Sequence, residues 1–282
     1  MHEPPASGRT GQAESLPRRP PALLLDIDGV LAVSWRAIDG AVEALQSVRA
    51  AGTQVRLLTN TTSRPRSAVV DALRVAGFEV GSDEVITAPI ATANYLRTHF
   101  SGTTAALLCS GDVTADLATS GVEFVDLTRS APTGPVAVVV LGGAGPEFSY
   151  DALDQAFNLV LQGASLVAMH RGLFWRTAAG MQLDTGAFLI GLERAAGIEA
   201  TIIGKPEAAM FEGALDELNV PPDAAVMIGD DIDSDVRGAQ AAGLSGVLVR
   251  TGKFRPQVLD SPGTVPDLVT DSIVSAVTAL GY

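Results

Sequence analysis

Leu23-Leu24-Leu25-Asp26-Ile27-Asp28-Gly29-Val30 is the stretch around which the rest of the chain is ordered. An apolar run climbs into two carboxylates one residue apart and breaks at a glycine. Successive side chains of a strand alternate faces, so Asp26 and Asp28 can point the same way off the strand's end. Two anions held that close repel, and one pKa rises unless a cation neutralises them. The pattern therefore asks for a metal ion, a shared proton, or both. An acidic turn would use the same residue types, because Asp and Gly are ordinary turn formers.

Outward from this stretch, short apolar runs alternate with longer periodic segments. The pattern predicts a helix over 38–51 ending at Gly52, a strand over 55–58 running into Thr59-Asn60, and a helix over 65–76 closed by Gly77. Later, Ile202-Ile203 reads as a strand running into Gly204-Lys205-Pro206, followed by an amphipathic segment over 207–218. A strand over 225–228 meets Gly229-Asp230-Asp231, a helix covers about 234–242, with Ser234 a candidate cap, and 247–249 is a last strong strand. Buried apolar strands alternating with helices predict an α/β fold with a mostly parallel sheet covered on both faces.

The middle of the chain has strands of its own at 105–108, 136–141 and 166–168, and its clearest helix at 153–161. This organisation divides the chain into a disordered leader over 1–21, a Rossmann-like core made of 22–87 and 185–282, and an inserted α/β unit over 88–184. The leader carries four prolines and two glycines in its first 20 residues, with no apolar centre. Arg18-Arg19 hints at a twin-arginine signal, but Asp26 and Asp28 interrupt the apolar run behind it.

Composition narrows the function. The 282 residues carry a net charge of −13, which argues against a nucleic-acid surface. No apolar run approaches the roughly 20 residues of a membrane span. A single cysteine, Cys109, excludes an internal disulfide framework, and the cytoplasm is the expected compartment. Cys109 follows an apolar run and reads as a buried structural thiol.

The polar residues after the strands form one set. In an open parallel sheet the carboxyl ends of the strands line the crevice where ligands bind. Asp26 and Asp28, Thr59 and Asn60, Lys205, and Asp230, Asp231 and Asp235 each follow a strand assigned to the core. Asp26, Asp28 and Asp230 offer hard oxygen ligands suited to Mg²⁺. Thr59 and Asn60 offer donors to phosphoryl oxygens, and Lys205 offers a cation. A carboxylate in line with a phosphoryl group can attack it.

Asp26-Ile27-Asp28-Gly29-Val30, Thr59-Asn60, Lys205-Pro206 and Gly229-Asp230-Asp231-Ile232-Asp233-Ser234-Asp235 resemble, in order, the four motifs of the haloacid dehalogenase (HAD) superfamily. The inserted unit is similar to the α/β cap of its subfamily IIA. Residues 204–207, 226–231 and 249–256 resemble the branch of phospholysine phosphohistidine inorganic pyrophosphate phosphatases. The resemblance implies a Mg²⁺-dependent phosphatase working through an aspartyl-phosphate on a small phosphorylated metabolite or pyrophosphate. Asp26 would be nucleophile and metal ligand, and Asp28 acid–base partner and metal ligand through its backbone carbonyl. Thr59, Asn60 and Lys205 would hold the phosphoryl group. Asp230 would complete the metal site, with Asp231 and Asp235 outside it, acting through water or by orienting Lys205. His170, Arg171 and Trp175, at the end of a cap strand, would face the substrate, and the cap would mediate any homodimer. Asp28 speaks against dehalogenation, which has no use for a second aspartate. Transfer to an acceptor other than water, as in mutases, and an idle scaffold that only binds a ligand are the competing readings. Arg250, Lys253 and Arg255, beyond the last strong strand, read either as solvated charges or as a contact for an anion or a second subunit.

Overall fold

The computed structural model describes residues 16–177, 180–259, 263 and 265–282, with the backbone alone at 175–177. Most of the expected leader, residues 1–15, lies outside this range. The chain enters as β1 (Ala22–Asp26), whose five residues are all buried. Leu23 and Leu25 join one apolar cluster, while Ala22 and Leu24 join another on the opposite face. A strand buried on both faces reads as a continuous apolar run for that reason. Each fully buried leucine contributes about 1.5–3 kcal/mol.

A small hairpin follows, β2 (Ala32–Val33) and β3 (Arg36–Ala37), and then α1 (Ala41–Ala50), β4 (Gln54–Thr59), α2 (Arg66–Val75) and β5 (Val85–Thr87). The chain then leaves for a second sheet. Its elements are α3 (Ala88–His99), β6 (Thr104–Leu108), α4 (Thr114–Leu117), β7 (Glu123–Asp126), β8 (Val138–Leu141), α5 (Tyr150–Leu161) and β9 (Ser165–Ala168). A hairpin of β10 (Phe174–Thr177) and β11 (Gly180–Leu183), helix α6 (Thr185–Ala196) and β12 (Thr201–Ile202) complete it. On return come α7 (Ala208–Leu218), β13 (Ala225–Gly229), a π-helical turn Ile232–Arg237, α8 (Gly238–Ala241), β14 (Ser245–Val249), β15 (Leu268–Thr270) and α9 (Ile273–Ala279).

The first sheet has the order β15-β14-β13-β1-β4-β5 and the second β12-β9-β8-β6-β7. All pairings within both are parallel. This is the expected α/β architecture. Two placements differ from the sequence reading. Ile202 pairs with Ala168 at the edge of the second sheet, so Ile202-Ile203 is not a core strand. Leu189 and Leu192 of α6 pack into the second sheet's core, so that unit continues past 184 to about residue 203. The third motif therefore sits on the returning linker instead of at the end of a core strand. No described helix is long and apolar enough to cross a membrane.

Candidate active site

The first sheet presents β1, β4 and β13 side by side, which brings their carboxyl ends together. Asp26 closes β1 and is 4% exposed. Its Oδ1 accepts from the Ile27 N–H at 2.8 Å and lies 2.8 Å from Lys205 Nζ. Lys205, 3% exposed, reaches Asp235 Oδ1 at 2.6 Å and donates to the Leu58 carbonyl at 3.4 Å. Burial works against its ammonium, but Asp235 and Asp26 outweigh that and raise its pKa above the usual lysine range.

Asp230 lies in the same hollow. Its Oδ2 accepts from the Lys253 N–H at 2.5 Å, while Oδ1 is buried with no hydrogen-bond partner. Carboxylate oxygens of Asp26, Asp230 and Asp235 all lie within 4.8 Å of one another. Burial, followed by the charges of Asp26 and Asp235, pushes Asp230 up to about 8. Asp235 stands at about 6, raised by burial and only partly relieved by Lys205. Asp28 is also raised, first by burial and then by Asp26. A buried anionic oxygen without a partner is costly, and a hard divalent cation with oxygen ligands is the chemistry that relieves it. The donor set fits Mg²⁺.

Two glycines permit this arrangement. Gly29 (φ +90°) and Gly252 (φ +61°) approach each other beneath Asp230, and a Cβ on either would collide with Asp230 Oδ2. The Thr251 hydroxyl donates to the Gly29 carbonyl and ties the two loops together.

A profile described as haloacid dehalogenase-like hydrolase matches residues 23–123, and one described as HAD-hydrolase-like matches 202–276. A haloacid dehalogenase-like hydrolase domain-containing protein 2 from Bos taurus is 37% identical over 257 residues, covering 91% of this chain and 94% of its own length. The chain belongs to the haloacid dehalogenase-like hydrolase family. A phospholysine phosphohistidine inorganic pyrophosphate phosphatase from Danio rerio is 35% identical, covering 92% of this HAD hydrolase and 93% of itself. The structure is similar to that of a glycerol phosphate phosphatase from Mycobacterium tuberculosis in complex with magnesium, with TM-score 0.80 and 25% identity. That match covers 93% of this chain and 76% of the other. The expectation of a HAD-type phosphatase agrees with these relatives.

The remaining expected site residues divide. Thr59 is buried with its hydroxyl 2.9 Å from that of Thr61 and accepts from the Thr61 N–H at 3.1 Å. Asn60 gives a side-chain N–H to the Lys205 carbonyl at 2.8 Å and so anchors the returning linker, while its Oδ1 is buried without a partner. Asp231, not Ser234, caps the π-helical turn, accepting from Asp233 and Ser234 N–H groups at 3.0 and 3.1 Å. Both Asp235 oxygens are engaged, Oδ1 by Lys205 and Oδ2 by the Asp231 N–H at 3.1 Å.

On the cap, His170 is buried. Its Nδ1 accepts from the Gly172 N–H at 3.1 Å, which puts the proton of the neutral ring on Nε2, 3.8 Å from Asp184 Oδ1. Burial lowers its pKa despite Asp184. Arg171 makes a two-pronged pair with Glu193 at 3.0 and 2.5 Å, so its guanidinium is committed within the cap. The side chain of Trp175 lies outside the described residues. Cys109, expected to be buried, is half-buried, and burial pushes its thiol up to about 12, away from a nucleophilic role.

Arg64 was not singled out by sequence reasoning, and Lys253 was named only within a basic run read either as solvated charges or as a contact for an anion or a second subunit. Arg64 follows Thr59 and Asn60 by a few residues and carried no signal of its own.

Proposed function

We propose that this HAD hydrolase is a Mg²⁺-dependent phosphatase acting on a small phosphorylated metabolite or pyrophosphate through an aspartyl-phosphate on Asp26. The observation that carries this reading is the buried Asp26–Lys205–Asp235 chain beside the unpartnered Asp230 Oδ1. A carboxylate with its charge tempered by an ammonium is suited to approach a phosphoryl dianion, and a pure binding site has no need of it.

In this scheme a carboxylate oxygen of Asp26 attacks phosphorus, and the bond to the leaving oxygen breaks. Asp28, whose raised pKa favours the protonated form, gives that oxygen its proton. Asp28 then takes a proton from water as the water attacks the aspartyl-phosphate, releasing inorganic phosphate and restoring Asp26. Lys205 and Thr59 hold the phosphoryl oxygens, and Asn60 keeps the Lys205 linker in place. Asp26, the Asp28 backbone carbonyl and Asp230 would hold Mg²⁺, which when bound offsets negative charge on the phosphoryl group. The single cysteine supports a cytoplasmic setting.

Free phosphate released from p-nitrophenyl phosphate tests the scheme. Asp26→Asn should lower turnover at least about a thousandfold with the fold intact. Excess EDTA should silence the wild type, and Mg²⁺ should restore it. Substantial turnover by Asp26→Asn would overturn the nucleophile assignment.

A further inference from the structure

Two cations bear on the cleft without an ion-pair partner among the described residues. Arg64 stands on the loop that begins with Thr59 and Asn60, and its guanidinium lies 4.5 Å from the centre of the Trp35 ring. Trp35 comes from the β2–β3 turn, just past Asp28. Both Ser34 (φ +50°) and Trp35 (φ +63°) adopt the left-handed conformation there, which is uncommon outside glycine. Such strain persists where the surrounding structure requires it. Here it lays the indole against the core of the first sheet and under Arg64. A long flexible side chain is thereby held in one place. The same loop is wedged against the cap, since a Cβ on Gly111 would strike Thr62 and Ser63. Arg64 therefore stands where core and cap meet.

Lys253 is the second cation. Its backbone N–H holds Asp230, which fixes its Cα at the rim of the acidic hollow. The side chain is exposed, yet its charge is felt by Asp28 and Asp230 of the core and by His170 of the cap. The charge of Arg64 also reaches Asp28, the residue that serves the leaving group in the proposed scheme.

Arg64 has no carboxylate partner among the described residues, and Lys253 is held charged by Asp26, Asp230, Asp235 and Asp231 without pairing directly with any of them, so the hollow they face remains acidic. Asp26, Asp28, Asp230 and Asp235 have Lys205 as their one buried ammonium. A substrate with negative charge beyond its phosphoryl group would be repelled there unless further cations met it. We propose that Arg64, braced by Trp35, and Lys253 form a subsite for a second anionic group on the leaving group, selecting phosphate esters whose leaving group carries a carboxylate or phosphate. The inference rests on the phosphatase reading and adds the charge of the leaving group to it.

A matched pair of substrates isolates that charge: 3-phosphoglycerate and glycerol 3-phosphate differ by a carboxylate in place of a hydroxymethyl group. The wild type should favour the carboxylate by about tenfold in kcat/KM, mostly through KM. Arg64→Met and Lys253→Met should each cut that preference severalfold. Trp35→Leu should weaken it by freeing Arg64, and Arg64→Lys should restore part of it. A wild-type ratio near one, or an unchanged ratio in Arg64→Met, would overturn the subsite. Should the wild type turn over neither ester, p-nitrophenyl phosphate decides the phosphatase reading separately. Calorimetric binding of the same two compounds to the intact protein with Mg²⁺ then decides the subsite, and affinities within about threefold of each other would reject it.

Discussion

Gly252 shows how much of the site depends on one atom being absent. With φ at +61° and no room for a Cβ against Asp230 and Gly29, it lets the Lys253 N–H reach Asp230 Oδ2 and leaves Oδ1 bare. Gly252→Ala should cost about 1–3 kcal/mol in urea unfolding through backbone strain. It should also weaken Mg²⁺ binding about tenfold or more by calorimetry, because the group orienting a ligand is displaced. Retained Mg²⁺ affinity would show that the Gly252 approach does not set Asp230. Asp26, Asp28, Lys205 and Asp230 were legible as chemistry from residue type and order. The Gly29–Gly252 approach was not, because the partners stand 223 positions apart and nothing in either motif identifies the other as its neighbour.

At the scale of elements, the strands of the first sheet were readable because burial on both faces leaves a continuous apolar signature. Ile202-Ile203 carried the same signature and was assigned to the wrong sheet. A two-residue strand holds no information about its partner, and register against Ala168 is settled by packing alone. Helix α6 belongs with it. Leu189 is fully buried among residues of β8, β9 and α5, so Leu189→Ala should destabilise the protein by about 2–5 kcal/mol. Because Leu189 packs in the second sheet's core, hydrogen exchange should rise in β8 and β9 far more than in β1. Equal loosening of β1 would contradict the assignment. β15 and α9 also escaped the sequence reading, being short and lying after a loop rich in polar residues and proline.

Across the whole molecule, the site makes stability depend on pH and on metal together. Asp230 at about 8 and Asp235 at about 6 both lie above the ordinary aspartate value. The folded state therefore holds protons that the unfolded chain has released, so what these two carboxyls contribute to metal-free stability is fully present below about pH 4 and is lost as pH rises through about 6 and then 8. Lys205, raised above its usual range, keeps its charge throughout this window. A divalent cation displaces the same protons, so its affinity should strengthen over the same range. Thermal unfolding should show Tm of the EDTA-treated protein declining from pH 5 to pH 8.5. The gain from millimolar Mg²⁺ should be largest at the alkaline end. A gain independent of pH would separate metal binding from the Asp230 and Asp235 carboxyls.

The sequence by itself determined the fold class and which residues are candidates for the chemistry. Local residue order encodes which strand ends carry carboxylates, a lysine or hydroxyls, and apolar runs of strand length demand a covered parallel sheet. Only the tertiary structure decided that Ile202 edges the second sheet, that Asn60 anchors the Lys205 linker, that Arg64 lies over Trp35 and that the Lys253 N–H reaches Asp230. These are contacts between residues far apart in the chain. Their energies come from packing and charge in three dimensions, and no periodicity along the chain records them.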